Sequence, residues 1–198
     1  MAIGIYGGTF SPVHYGHINA ARAFINQCGI SHLYIVPAAI PPHKRIDYSD
    51  NPAVRYEMVK LAFEADKNIT VSDFEINSSE PSYTVNTLKY FKKLYNEELI
   101  FLCGADMFIT LDKWRNAEEI FRLAKIAYVD RNNINTAEKE EFYTQNFNAD
   151  IVTVEMPVLD ISSTKLREMI SKNDDMSEYI PRHITEFIKS RGLYSKEL

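Results

Sequence analysis

Cysteine is scarce in this chain, with Cys28 and Cys103 alone among 198 residues. Two isolated thiols build no disulfide framework, so a reducing compartment, the cytoplasm, is the expectation. Long apolar runs are missing as well. No stretch approaches the roughly 20 residues of a membrane-crossing helix, and no signal peptide precedes the first apolar segment, so no membrane partner is expected. Positive charge is also thin: 22 Lys and Arg stand against 27 Asp and Glu, a formal net charge of −5. That balance argues against a general nucleic-acid surface. Any phosphate binding must be local, built from loops and helix ends. Repeats and low-complexity segments are absent, and the length suits one domain with a full core, spanning 1–198. Association of copies stays open, a homo-oligomer included.

What the chain does have is alternation. Apolar runs at 2–6, 32–36, 69–74, 99–103, 124–129 and 151–154 read as strands, and helical patterns fill about 16–28, 52–65, 84–95, 116–122 and 137–146. This order predicts an α/β fold: a Rossmann-like, doubly wound parallel sheet with helices on both faces. Right-handed crossovers gather the loops after the strands along one edge, where such sheets bind ligands. Ser162-Ser163 and Pro181 open two further helices, a C-terminal pair, and Gly192 is placed to end the last.

The first strand runs into Gly7-Gly8-Thr9-Phe10-Ser11-Pro12-Val13-His14-Tyr15-Gly16-His17. Glycines allow backbone N–H groups to approach a ligand, and a helix start favours negative charge. His14 and His17 stand three apart, so both face one anion if the helix begins near Tyr15. The run is no GxxxxGK[ST] loop, lacking Lys-Ser or Lys-Thr after the glycines, and its glycine spacing is not GxGxxG. No nearby Cys or second His pair completes a metal site around the histidines.

A second constellation is Asp160-Ile161-Ser162-Ser163-Thr164-Lys165-Leu166-Arg167, hydroxyls at a helix start followed by a basic pair. Simple N-capping explains one serine but not the basic pair. The string also contains SxxK, but the Ser-Asp-Asn and Lys-Thr-Gly of penicillin-binding enzymes are absent, so that match is chance. Pro81-Ser82-Tyr83-Thr84 opens a helix with exposed hydroxyls, which is either a plain cap or a polar edge for a second substrate. Gly104 and Asp106 follow the strand at 99–103, where Asp106 suits a ribose hydroxyl. Cys103 would need a positioned base to act as a nucleophile. Trp114, the single tryptophan, is core packing in most proteins; here it falls beside Lys113 and Arg115 on the active edge, where it could stack on a planar ring. Arg131 follows the strand at 124–129, and His43-Lys44-Arg45 forms a basic loop suited to phosphate.

The order Gly-Gly-Thr-Phe-x-Pro-Val-His-x-Gly-His resembles the (T/H)xGH signature of the nucleotidyltransferase superfamily, and Ile161-Ser162-Ser163-Thr164-x-x-Arg167 resembles its ISSTxxR motif. With Ile40-Pro41-Pro42-His43-Lys44, Ser82-Tyr83-Thr84 and Gly104-Ala105-Asp106…Trp114 between them, nearly the whole chain is similar to the bacterial nicotinate-nucleotide adenylyltransferases. Two positions depart from that pattern: Ser11 stands where Asp or Asn is usual, and Asn86 where Asp is common. The resemblance implies adenylyl transfer from ATP to nicotinate mononucleotide, with Mg²⁺ carried by the phosphates. His14 and His17 would contact the ATP phosphates. Gly7, Gly8, Thr9, Phe10, Gly104, Asp106, Ile161, Ser162, Ser163, Thr164 and Arg167 complete the implied ATP site. Lys44, Thr84, Asp106, Trp114 and Arg131 are the implied acceptor contacts. Two other readings remain at this stage. Pantetheine-phosphate adenylyltransferases share the first and last motifs, and a sensor could bind adenine nucleotide without turnover.

Overall fold

A computed structural model describes residues 2–42, 51–129, 134–157 and 159–195. Among them, six strands form one sheet: β1 (Ala2–Gly8), β2 (Ile30–Pro37), β3 (Ile69–Val71), β4 (Glu98–Gly104), β5 (Lys125–Val129) and β6 (Ile151–Val154). All pairings are parallel, in the order β3-β2-β1-β4-β5-β6. The expected Rossmann-like class is therefore the observed one. The order reverses between β1 and β4, and ligands of open α/β sheets bind in the crevice at such a switch.

The helices are α1 (Tyr15–Cys28), α2 (Pro52–Ala62), α3 (Thr84–Leu94), α4 (Ala105–Phe108), α5 (Ala117–Leu123), α6 (Ala137–Phe147), α7 (Ser163–Lys172) and α8 (Arg182–Ser190). Strand alternation sorts the core in two. Ala2 and Tyr6 of β1 join the cluster under α1, α2, α7 and α8, whereas Ile3 and Ile5 join the one under α3, α5 and α6. Gly4 is bare because side chains of α1 and β2 lie so close: a Cβ there would stand 2.8 Å from Phe24 and 2.9 Å from Leu33. Local signals set the ends. Asn51 accepts from the Val54 N–H at 2.9 Å, with Pro52 in the first turn, and Gly29 closes α1 at φ 62°.

Three expectations need adjusting. The helix from Pro52 stops at Ala62 rather than 65, because Phe63 turns into the core and the Asp66 N–H closes on its carbonyl. The third strand ends at Val71 rather than 74; Ser72 still donates to Ile35, and Phe74 then leaves the sheet to stack on Tyr90. Between Gly104 and Trp114 the chain forms α4 and a 3-10 turn, Leu111–Lys113, where only a turn was expected.

Candidate active site

Two cavities open at the carboxyl ends of the strands. The larger, about 600 Å³, is lined by Tyr6 to Ser11, His14, His17, Gly104 to Asp106, Ile134, Leu159 to Lys165, and Arg167. Every residue expected at the ATP site lies on its wall. His14 is the residue before α1, in extended conformation, and its ring folds back over the first turn. The two imidazoles lie 3.8 Å apart between centroids, at 34°, and Phe10 meets His17 edge-on at 5.0 Å. Gly16 is dictated by this packing, since a Cβ there would come within 2.9 Å of the His14 ring. Two imidazoles thus stand at the positive end of a helix of 14 residues, an arrangement suited to oxyanions.

The opposite wall is α7, and it is bonded to the first loop. Ser162 caps the helix by accepting from Lys165 N–H at 3.2 Å. Ser163 Oγ donates to the Pro12 carbonyl at 3.0 Å, and Arg167 Nη1 donates to the Ser11 carbonyl at 2.6 Å. Arg167 Nη2 also donates to Thr164 Oγ1 at 3.1 Å. Further on, the Tyr15 N–H donates to Tyr179 O at 2.9 Å, and Ser11 Oγ donates to the Tyr194 hydroxyl at 3.3 Å. Ser11, the departure from the family pattern, is buried and joined to the C-terminal segment.

The smaller cavity, about 170 Å³, lies on the other side of the β1 end. Thr84 and Trp114 line it as expected, with Tyr83, Arg115, Phe101 and Met107. Trp114 stands edge-on to Phe101 at 6.3 Å, and the Arg115 guanidinium carbon lies 4.7 Å above the Tyr83 ring. Asp106, expected at both sites, lines the larger cavity and not the smaller. It sits in the first turn of α4 with Oδ1 turned back over Gly104, where an added Cβ would meet it at 2.5 Å. Lys44 and Arg131 lie outside the described residues. Asn86 is not on this wall; its amide donates to Glu80 at 3.3 Å. Cys103 borders the cavity, but burial and the nearby Asp106 charge push its thiol pKa far up, so it is no nucleophile.

Two groups escaped the sequence reading. Arg55 on α2 is fully buried, and Glu75, nearly so, borders the smaller cavity. The signal for Arg55 was available: Arg55, Met58, Val59 and Ala62 form the buried stripe of α2, an arginine on an apolar face. Among the described residues, no group of three or more His, Cys, Asp or Glu could hold a metal ion. The His, Ser, Thr and Arg side chains lining the large cavity offer imidazole, hydroxyl and guanidinium donors, which suit phosphate oxygens, and its carboxylates are Asp106 and Asp160.

Comparison with known proteins places the chain by sequence and fold. The cytidylyltransferase-like family matches residues 5–169. A probable nicotinate-nucleotide adenylyltransferase of Caldicellulosiruptor saccharolyticus is 38% identical over 99% of this chain and 100% of its own length. Another, of Clostridium tetani, is 34% identical over 96% and 97%. The solved Plasmodium falciparum nicotinic acid mononucleotide adenylyltransferase complexed with NaAD superposes with a TM-score of 0.82 at 22% identity, covering 98% of this chain and 97% of that one. At that identity the likeness speaks for the fold.

Proposed function

The chain belongs to the nicotinate-nucleotide adenylyltransferase family, and we propose that it transfers the adenylyl group of ATP to nicotinate mononucleotide in NAD biosynthesis. One observation carries the reading. The two cavities share Gly7, Gly8, Thr9 and Gly104 as a common wall, so ligands in them meet end to end at the strand switch.

ATP occupies the larger cavity and the mononucleotide the smaller. A phosphate oxygen of the acceptor attacks the α-phosphorus in line; the new P–O bond forms as the bond to pyrophosphate breaks. The products are nicotinate adenine dinucleotide and pyrophosphate. The attacking oxygen is already anionic, so neither a general base nor a covalent intermediate is needed, and catalysis is positioning plus charge stabilisation. His14 and His17 donate to the α- and β-phosphates as charge develops. Ser162, Ser163, Thr164 and Arg167 hold the β- and γ-phosphates from α7, and Asp106 accepts from the ribose. Mg²⁺ arrives on the triphosphate as part of the substrate, ligated by phosphates and water. Across the wall, Trp114 stacks on the pyridine, and hydroxyl and backbone N–H groups at Thr84 meet its carboxylate. Lys44 and Arg131 are proposed for the acceptor side on sequence grounds alone.

The whole span 1–198 acts as one nucleotidyltransferase domain in the cytoplasm, needing neither nucleic acid nor membrane. The net charge of −5 and the two unpaired cysteines support that setting. The test is pyrophosphate release from ATP and Mg²⁺ with nicotinate mononucleotide, nicotinamide mononucleotide or phosphopantetheine offered separately. Turnover with the first, well above the others, is expected. Turnover with phosphopantetheine alone would overturn the acceptor, and none with any acceptor would overturn catalysis.

A further inference from the structure

Helix α6 buries one side chain completely, Tyr143, at 0% exposure. Its ring packs edge-on to Phe108 at 5.2 Å and lies 4.9 Å from Phe121. That packing accounts for an aromatic ring but not for its hydroxyl, which must find a partner once taken from water. The hydroxyl stands 2.9 Å from the Phe108 carbonyl and 2.8 Å from Asp112 Oδ1, and it accepts from the Asp112 N–H at 3.3 Å. Its one proton is thus shared between a carbonyl and a carboxylate. Burial and the bond to Asp112 push the Tyr143 pKa up, so that proton stays in place through the neutral range. The other oxygen of Asp112 accepts from Lys139 Nζ, also on α6, at 2.9 Å.

Both partners of the hydroxyl belong to the segment between β4 and α5. Tyr143, Phe108 and Asp112 line neither cavity, but their chain neighbours do: Asp106 lines the larger, and Met107, Trp114 and Arg115 line the smaller. The segment is bonded turn upon turn. Ile109 N–H donates to Ala105 O at 3.1 Å, Thr110 N–H to Met107 O at 3.1 Å, Lys113 N–H to Thr110 O at 2.9 Å, and Trp114 N–H to Leu111 O at 3.1 Å. A piece of chain so bonded moves as a unit, and ties at Phe108 and Asp112 decide where Trp114 stands.

We infer that Tyr143 is a positioning residue for the acceptor: its hydroxyl fastens the segment leading to Trp114 onto α6 at two points and so sets the indole in the wall of the smaller cavity. The inference rests on the acceptor reading of that cavity. Tyr143 touches no substrate and acts through Trp114.

The experiment uses Tyr143→Phe, which keeps the packed ring and removes the hydroxyl. Trp114 is the single tryptophan, so its emission reports its own position without any substrate. In Tyr143→Phe that emission is expected to move to longer wavelength and to be quenched more strongly by acrylamide. KM for nicotinate mononucleotide is expected to rise roughly three- to fivefold with kcat nearly unchanged, as for one lost hydrogen bond. KM for ATP should move less, since α4 keeps Phe108 stacked on Tyr128 at 4.4 Å. The rise should vanish when Tyr143→Phe is added to Trp114→Ala, because residues that act through one another are not additive. An unchanged acceptor KM, a rise of the same size in both backgrounds, or indole emission and quenching equal to wild type would overturn the positioning role and leave a brace of the fold. If Tyr143→Phe does not fold, Asp112→Ala cuts the same bond from the half-buried turn, and the same readings decide. Wild-type turnover tests the acceptor reading by itself, and the emission needs no substrate, so the two failures are told apart. If another phosphorylated acceptor is preferred, KM is read with that one.

Discussion

The two cavities at the strand switch are built on opposite plans. The larger takes most of its polar groups from two compact stretches, Thr9 to His17 and Asp160 to Arg167, bonded to each other across the sheet edge, with Asp106 added from α4. The smaller is assembled from the ends of β1 and β2, the approach to α3, β4, and the segment before α5. Phosphate chemistry is the same in every nucleotide, so contiguous helix-end motifs serve it. Recognition of one particular acceptor draws single residues from many places. On the proposed function the first plan supplies charge stabilisation and the second fit, and substitutions should separate them.

The largest effect is expected on the first side. His17→Ala should lower kcat by roughly 10²–10³-fold while the acceptor KM moves little, measured as steady-state pyrophosphate release. A near-normal kcat would remove the imidazole from the transition state. Arg167→Ala comes next. It loses the proposed phosphate contact and the bond to the Ser11 carbonyl, so kcat/KM for ATP should fall on the order of 10–100-fold. Trp114→Ala crosses to the other side: KM for the acceptor should rise roughly tenfold and KM for ATP should hold, as expected for one lost stacking surface. Equal changes in both KM values would dissolve the division between the cavities.

The smallest effect concerns what holds Trp114 in place. Asp112 accepts from Lys139 at 2.9 Å and from the Tyr143 hydroxyl at 2.8 Å, tying the 3-10 turn to α6. Partial burial works against its charge, but these bonds and the Lys139 charge outweigh it and hold the carboxyl below its ordinary range. A depressed folded pKa stabilises at neutral pH, and the contribution disappears as pH falls below about 4. Asp112→Asn should cost about 0.5–1 kcal/mol near pH 7 in urea unfolding, with the difference shrinking toward about pH 3. A cost independent of pH would assign the stabilisation to packing.

The same division decided what the sequence disclosed. All six strands and the thirteen residues of the larger cavity's expected set were readable, because periodicity and helix-end chemistry are local in the chain. In the smaller cavity, Trp114 and Thr84 stood out by residue type and position, but Glu75 did not. Glu75 falls beyond a strand that ends early, and its partners Ser82 and Thr87 lie on the far side of a turn. Asp106 was assigned to both sides, because its place after β4 fixes which edge it occupies but not which way it faces. That direction comes from α4, a single turn too short to announce itself in a hydrophobic pattern.

The bonds that join Ser163, Arg167, Tyr179 and Tyr194 with Ser11, Pro12 and Tyr15 also impose an order on manufacture. On the ribosome, the segment carrying His14 and His17 emerges early, and the helix that faces it emerges late. The nascent polypeptide therefore carries half a nucleotide cleft for most of its synthesis. A product whose translation stops before α7 has the two imidazoles and no opposing wall.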